Sequence, residues 1–287
     1  MEISLGTANF GTYYGSIPKS FNHNNVKLLK KALLKHKINH IDTALDYKNS
    51  NKYIKNLNID NLKVTTKFVI PNNYKKDQLY LYNLIKKNLK LLKLKKFEAV
   101  LFHNVKDFDN RDIEHVYFEL KKLKKDKLIK KIGVSIYKPN DLKKVFNFFQ
   151  PEIIQAPINI FDQRLIKSNW IKIIKRKKII LQARSIFLQG FLLKNYNQIK
   201  NSKVFSNQNL KSFLKYEKFL EIKKLNKLFV CLNFIKNINS IKVIVVGINK
   251  IEELNEIAYY YKKKKINLSF KKKFISYQKN LIDPRTW

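Results

Sequence analysis

The sequence predicts an α/β chain folded as a (β/α)8 TIM barrel, on three observations. Short apolar, β-branched runs alternate with amphipathic helical stretches along the whole chain. The strand-like runs are apolar on both faces, as strands of a buried parallel sheet are. Polar side chains then recur where one such run after another ends, and the carboxyl ends of the strands are where this architecture carries its site. The 287 residues suit a single domain over 1–287, since the fold typically takes roughly 250 residues.

Ile3 to Asn9 reads as the first strand, running into Gly11-Thr12-Tyr13-Tyr14-Gly15, whose two glycines predict an irregular turn near a ligand. From Asn24 to His36 a helix is expected, with Val26, Leu29, Ala32 and Leu33 on one face and lysines mostly on the other. Asn39 to Asp42 opens with the apolar run of a second strand and delivers Asp42, with Tyr47 five residues further on. Leu62 to Lys67 is the third strand, and Pro71-Asn72-Asn73 closes the loop after it. The next helix runs from about Asp77 to Leu92 and buries Leu81, Leu84, Ile85, Leu89 and Leu92. Phe97 to His103 is the fourth strand, followed by a helix marked by Ile113, Val116, Tyr117, Leu120 and Leu123. Ile132 to Ser135 is the fifth, and Pro139-Asn140-Asp141 after it is a helix start. Ile153 to Ala156, Ile179 to Ala183 and Val243 to Val246 complete the eight. Leu192 to Leu210, rich in Asn, Lys and Ser, reads as a long loop, and helical periodicity returns from Phe213 to Ile238. The tail from Leu281 to Trp287 is too short for an elaborate lid.

A net charge of +39 suggests a polyanion partner. Yet only five of the sixty basic residues are arginine, the residue that phosphate and base-edge readers favour. The lysines travel with abundant Asn and Ile, so a compositional bias explains the charge more economically than a nucleic-acid site, and no specific nucleic acid is expected. No segment approaches the ~20 apolar residues of a membrane span, and Met1 to Gly6 offers no secretory leader. The single cysteine, Cys231, excludes an intramolecular disulfide and has no metal-ligand spacing around it, so no metal is expected. The compartment these features predict is the cytoplasm.

Asp42, Tyr47, Lys67 and His103 stand at successive strand ends. Reducing a carbonyl needs a proton donor for the developing alkoxide, and a tyrosine at its usual pKa of ~10 is a poor one near neutrality. An ammonium beside the phenol favours the phenolate, a carboxylate holds the ammonium in place, and a histidine can orient the substrate oxygen. Lys67, Asp42 and His103 supply these types. Taken singly, each residue is more simply a rim aromatic, a helix cap or a satisfied structural histidine. His23, His36, His40 and His115 have no such company and read as structural, and Asp46 as a loop cap. Asp162, Gln163 and Arg164 stand between a ligand contact and a surface salt bridge.

The four residues, each at a strand end, resemble the catalytic tetrad of the aldo-keto reductases, and the similarity runs from Leu5-Gly6-Thr7 to Gly247. The resemblance implies a nicotinamide-dependent reductase of aldehydes or ketones, of a sugar-like metabolite among others, with Tyr47 as general acid. It implies NADP or NAD, with NADPH slightly preferred, lying extended across the barrel rim as in the family; no dinucleotide-binding glycine fingerprint of the doubly wound type is present. Carried over by position, Ser135 and Gln155 hold the carboxamide. Ser185 with Leu188, Gln189 and Gly190 faces the pyrophosphate, the stretch from Gly247 to Glu256, with Asn249, Lys250 and Glu253, covers the adenosine end, and Gly6 and Thr7 border the site. Three positions depart from the family pattern. Ile136 stands where an asparagine is common, Arg184 where many members stack a tyrosine on the nicotinamide, and Glu253 where an arginine often grips the 2'-phosphate. The alternative is a barrel that has lost its chemistry and binds polyanions through its basic surface.

Overall fold

The apolar runs become the staves of a closed parallel barrel. They are β1 (Glu2–Gly6), β2 (His40–Asp42), β3 (Lys63–Phe68), β4 (Ala99–Phe102), β5 (Ile132–Ser135), β6 (Ile153–Pro157), β7 (Ile180–Arg184) and β8 (Ile241–Gly247), paired in sequence order with β8 closing on β1. The structure is a computed structural model and describes residues 1–10, 21, 25–47, 49–71, 74, 79–268 and 273–287. The Gly11 to Gly15 turn, His23, Asn24, Asn72, Asn73 and Asp77 therefore lie outside the described residues.

Parallel neighbours cannot be joined by tight hairpins, so each connection must cross over, and helices do it. They are α1 (Val26–Lys35), α2 (Ser50–Leu57), α3 (Tyr80–Leu92), α4 (Ile113–Lys125), α5 (Asp141–Phe148), α6 (Arg164–Lys167) and α7 (Trp170–Arg176). Then come α8 (Tyr196–Asn201), α9 (Asn207–Ile222), α10 (Lys227–Lys236), α11 (Ile251–Lys262) and α12 (Lys279–Ile282). α1 buries Val26, Leu29, Ala32 and Leu33, the stripe its spacing predicts.

Strand alternation separates two apolar zones. On β4, Val100 and Phe102 join the large cluster under the helices, whereas Ala99 and Leu101 form a small cluster with Ile153 inside the barrel. This interior has no room at Gly133, where a Cβ would lie 2.7 Å from Leu101 Cδ2 and against the Ile153 carbonyl. Above the apolar layer the interior turns polar, with Asp42, Lys67, Gln155 and Gln182 all buried.

Two stretches differ from the sequence expectation. α2 was not anticipated, although Tyr53, Ile54 and Leu57 bury at helical spacing. Leu192 to Leu210 is not a long loop. A 3-10 turn over Phe191–Leu193, the short α8 and the start of α9 fill it, pinned by buried Phe191, Leu192, Ile199, Phe205 and Leu210. Two of its Asn and Ser residues cap helix starts: Asn195 forms a reciprocal capping box with Gln198, and Ser206 accepts from the Asn209 N–H. No helix among the described residues is long and apolar enough to cross a membrane.

Candidate active site

Three consecutive strand ends bring the predicted quartet together. The Asp42–Tyr47 segment keeps pairing with β3 after β2 has ended, through Thr43 N–H to the Thr65 carbonyl (2.9 Å) and Leu45 N–H to the Lys67 carbonyl (2.8 Å). His103 likewise extends the β3–β4 ladder by one residue, donating its N–H to the Phe68 carbonyl at 2.8 Å. Backbone bonds to the barrel thus fix three of the side chains and the loop that carries the fourth.

Lys67 is fully buried, and its Nζ donates to Asp42 Oδ1 at 2.5 Å and to the Thr43 carbonyl at 2.9 Å. The other Asp42 oxygen accepts from Gln155 Nε2 at 2.7 Å, and Gln155 Nε2 also donates to Gln182 Oε1 at 3.0 Å. Both carboxylate oxygens are therefore engaged, as a buried anion requires. Burial lowers the Lys67 pKa, and the Asp42 charge and hydrogen bond oppose that shift. The ammonium lies 5.6 Å from the centroid of the Tyr47 ring. His103 meets that ring edge-on, with centroids 6.1 Å apart. Burial first, and then the Lys67 charge, push the His103 pKa down to about 4, so the imidazole is neutral near pH 7. Asp46, exposed, approaches His103 Nδ1 at 3.7 Å.

All four side chains open onto a cavity of about 420 Å³ at the carboxyl ends of the strands. Gly6, Ser135, Gln155, Arg184, Ser185 and Gly190 line it, and Gly247, Asn249 and Glu253 line it towards α11. Thr7, Leu188 and Lys250 do not. Thr7 turns its hydroxyl to the Asp42 carbonyl (3.2 Å), Leu188 is packed in the core, and Lys250 is an exposed residue at the N-cap of α11. Ile136 packs into the outer core and offers the cavity no polar group. Asp162 and Arg164 are not a surface pair either: Asp162 is buried, Arg164 grips it through Nε and Nη2 at 2.8 Å each, and Nη2 also donates to the Tyr137 carbonyl. Among the described residues no group of His, Cys, Asp or Glu is arranged to hold a metal ion.

The model of the aldo/keto reductase family matches residues 2–273. The chain belongs to that family. It is accordingly an NAD(P)-dependent oxidoreductase, and its barrel is the family's fold. Solved aldo-keto reductases superpose over nearly its whole length at low identity. AKR11C1 from Bacillus halodurans, in its holo form, has a TM-score of 0.74 at 15% identity, over 98% of this chain and 95% of that one. The glycerol dehydrogenase AKR11B4 from Gluconobacter oxydans has 0.71 at 19%, over 95% and 89%. No curated protein sequence matches significantly.

Several wall residues of this aldo/keto reductase carried no signal in the sequence. Asn9 lines the cavity and donates to Asn249 Oδ1 at 3.0 Å and to the Ile248 carbonyl, fastening β1 to the loop after β8. Tyr137, Lys194 and Gln198 also line it, as does Glu256 at the end of the stretch expected over the adenosine. The first three lie on loops and helix faces, where neither periodicity nor a strand end marks a residue out. Asn159 holds the rim from below, donating to the Ser185 carbonyl at 3.1 Å.

Proposed function

We propose that this aldo/keto reductase reduces an aldehyde or ketone to an alcohol, with Tyr47 as general acid, Lys67 as its electrostatic partner, Asp42 as the anchor of Lys67 and His103 as the orienting donor. The observation that carries the reading is the buried Lys67 ammonium, held at 2.5 Å by Asp42 and 5.6 Å from the Tyr47 ring. When bound, the nicotinamide cofactor supplies the hydride that the carbonyl carbon takes up. Tyr47 gives its proton to the carbonyl oxygen as that bond forms, and Lys67 stabilises the phenolate left behind. Neutral His103 can hydrogen-bond the same oxygen without competing as an acid. The tyrosine regains its proton from solvent, so one hydride and one proton convert the carbonyl to the alcohol.

Features of the cavity wall fit such a cofactor. Gln155 Oε1 is buried with no partner and lines the cavity, an acceptor suited to a carboxamide NH2 alongside Ser135. A Cβ on Gly247 would meet nothing within 4 Å, so the wall is open there. Ser185, Gln189 and Gly190 have positive φ and line the wall, a backbone shape that can turn amide groups towards phosphate. At the α11 end Glu253 Oε2 accepts from the Asn249 N–H at 2.8 Å, and Glu256 lies beside it on the wall. Two carboxylates there, with Lys250 off the wall, support NADH over NADPH, against the slight NADPH preference expected from the sequence. We place the enzyme in the cytoplasm; its lone thiol, Cys231, is buried and free, with its pKa pushed up to about 12.

Fluorescence titration with NADH and NADPH tests the cofactor site, and Tyr47→Phe tests the chemistry. The variant should lose about 10²–10⁴-fold in kcat while cofactor affinity stays within about threefold. Equal loss of both would remove Tyr47 from the role of acid.

A further inference from the structure

Only five arginines occur among sixty basic residues, and three of them meet at Tyr137. Arg164 donates to the Tyr137 carbonyl at 2.9 Å, while the Arg184 and Arg285 guanidinium carbons lie 4.3 Å and 3.6 Å from the centroid of its ring. Two of the three have a carboxylate of their own. Asp162 takes Arg164 in a bidentate grip, and Asp283 takes Arg285 in the same way, at 2.8 and 2.6 Å. Arg184 has none: its bonds go to the Ile136 carbonyl at 3.1 Å and, at 3.5 Å, to Ser185 Oγ, and it enters no ion pair among the described residues. It is also the one that lines the cavity beside Tyr47, Lys67 and His103. Its charge lowers the pKa of both Lys67 and His103, which places it within electrostatic reach of the reacting corner.

A guanidinium stacked on a ring and tied to a backbone carbonyl has little freedom left to lose on binding. Its unspent donors face a cavity that is polarised end to end. Arg184 stands at one end beside Lys67, whose charge Asp42 already pairs, and Glu253 and Glu256 line the wall at the α11 end, with Lys194 also on the wall. Asp46 near His103 is exposed, so solvent screens it. An anionic group is therefore favoured at the Arg184 end, and a planar carboxylate matches the fork of a guanidinium best. The wall suited to the dinucleotide phosphates is Ser185, Gln189 and Gly190, and the corner that Arg184 shares with Tyr47, Lys67 and His103 is left for an anion carried by the substrate.

We propose that Arg184 reads a carboxylate on the substrate, and that the substrates of this enzyme are short aldehydes or ketones bearing one. The inference rests on the reductase reading for its substrate, but the carboxylate subsite can be tested without turnover.

Calorimetric titration of the protein, with NADH or NADPH present, compares butyrate with butyramide. Steady-state kinetics compares succinic semialdehyde with butyraldehyde. Butyrate should bind and butyramide should not, and kcat/KM should favour the acid aldehyde by about tenfold or more. In Arg184→Gln, checked for folding by its thermal transition, that ratio should fall to within about twofold of unity and butyrate binding should disappear; Arg184→Lys should recover part of both. Butyrate binding that depends on Arg184 without turnover of either aldehyde would support the subsite while sinking the reductase reading. A wild-type protein that binds neither probe and shows no preference overturns the proposal without recourse to any variant. So does an Arg184→Gln protein that loses both aldehydes equally together with cofactor affinity, because Arg184 would then serve the cofactor.

Discussion

The fold holds two histidines, His103 and His40, below their ordinary pKa. Burial and the Lys67 charge hold His103 at about 4, and burial lowers His40 at the foot of the barrel. An unfolded histidine titrates near 6.5. Between those values the unfolded chain carries a proton that native His103 does not, so stability rises with pH across the window and is lost as pH falls through it. The slope from one such group is at most ~1.4 kcal/mol per pH unit. Urea midpoints measured from pH 4 to pH 7 should therefore rise less steeply in His103→Asn than in the wild type; the slope that remains is set by His40 and, in the opposite sense, by Asp107, whose carboxyl burial pushes up to about 6. Parallel curves would mean that His103 does not titrate as its surroundings dictate. At this scale the sequence exposed Asp42, Lys67 and His103, because a charged or imidazole side chain ending an apolar run has few structural reasons to be there. It did not expose Gln182, which sits within its strand, or Tyr137, whose place depends on Arg285 arriving from the far end of the chain.

At the scale of elements, composition misled in one place for a definable reason. Asn and Ser compete with the backbone for hydrogen bonds, so they favour loops and helix starts alike. Between β7 and α9 they are helix starts, and the apolar anchors at Phe191, Ile199 and Phe205 decide between the two. The same ambiguity hid α2, whose Asn and Lys residues obscure a short buried stripe. The α8 capping box offers a direct check, since Asn195 Oδ1 accepts from the Gln198 N–H at 2.8 Å and Gln198 Oε1 accepts from the Asn195 N–H at 3.0 Å. Asn195→Ala should cost about 1 kcal/mol in chemical denaturation. Because Gln198 also lines the cavity, hydrogen exchange in α8 should quicken more than in α9. Unchanged stability and unchanged exchange would mean that anchoring by Ile199 and its neighbours alone holds the helix.

The whole barrel was legible because eight apolar runs in alternation with helices admit few parallel arrangements. How the tail closes on it was not, since Trp287 packs on Phe191 and Phe205 at 5.3 and 5.1 Å, contacts that no local pattern encodes. Net charge also acts at this scale. Sixty basic residues against twenty-one acidic leave +39 uncompensated, and five lysines, Lys211, Lys215, Lys218, Lys223 and Lys273, line one open hollow along α9. Like charges spread over a folded surface repel, and unfolding relieves them. Added chloride shortens the screening length to about 10 Å at 0.1 M, which should weaken that repulsion more than it weakens short ion pairs such as Lys67–Asp42, buried and little screened. The thermal midpoint should therefore climb smoothly by roughly 3–6 °C between about 20 and 300 mM potassium chloride. A flat or falling midpoint would show that the lysines are locally compensated. A saturable rise produced instead by micromolar polyphosphate, and abolished by the same chloride, would mark a built polyanion site and favour the binding-module reading over plain compositional charge.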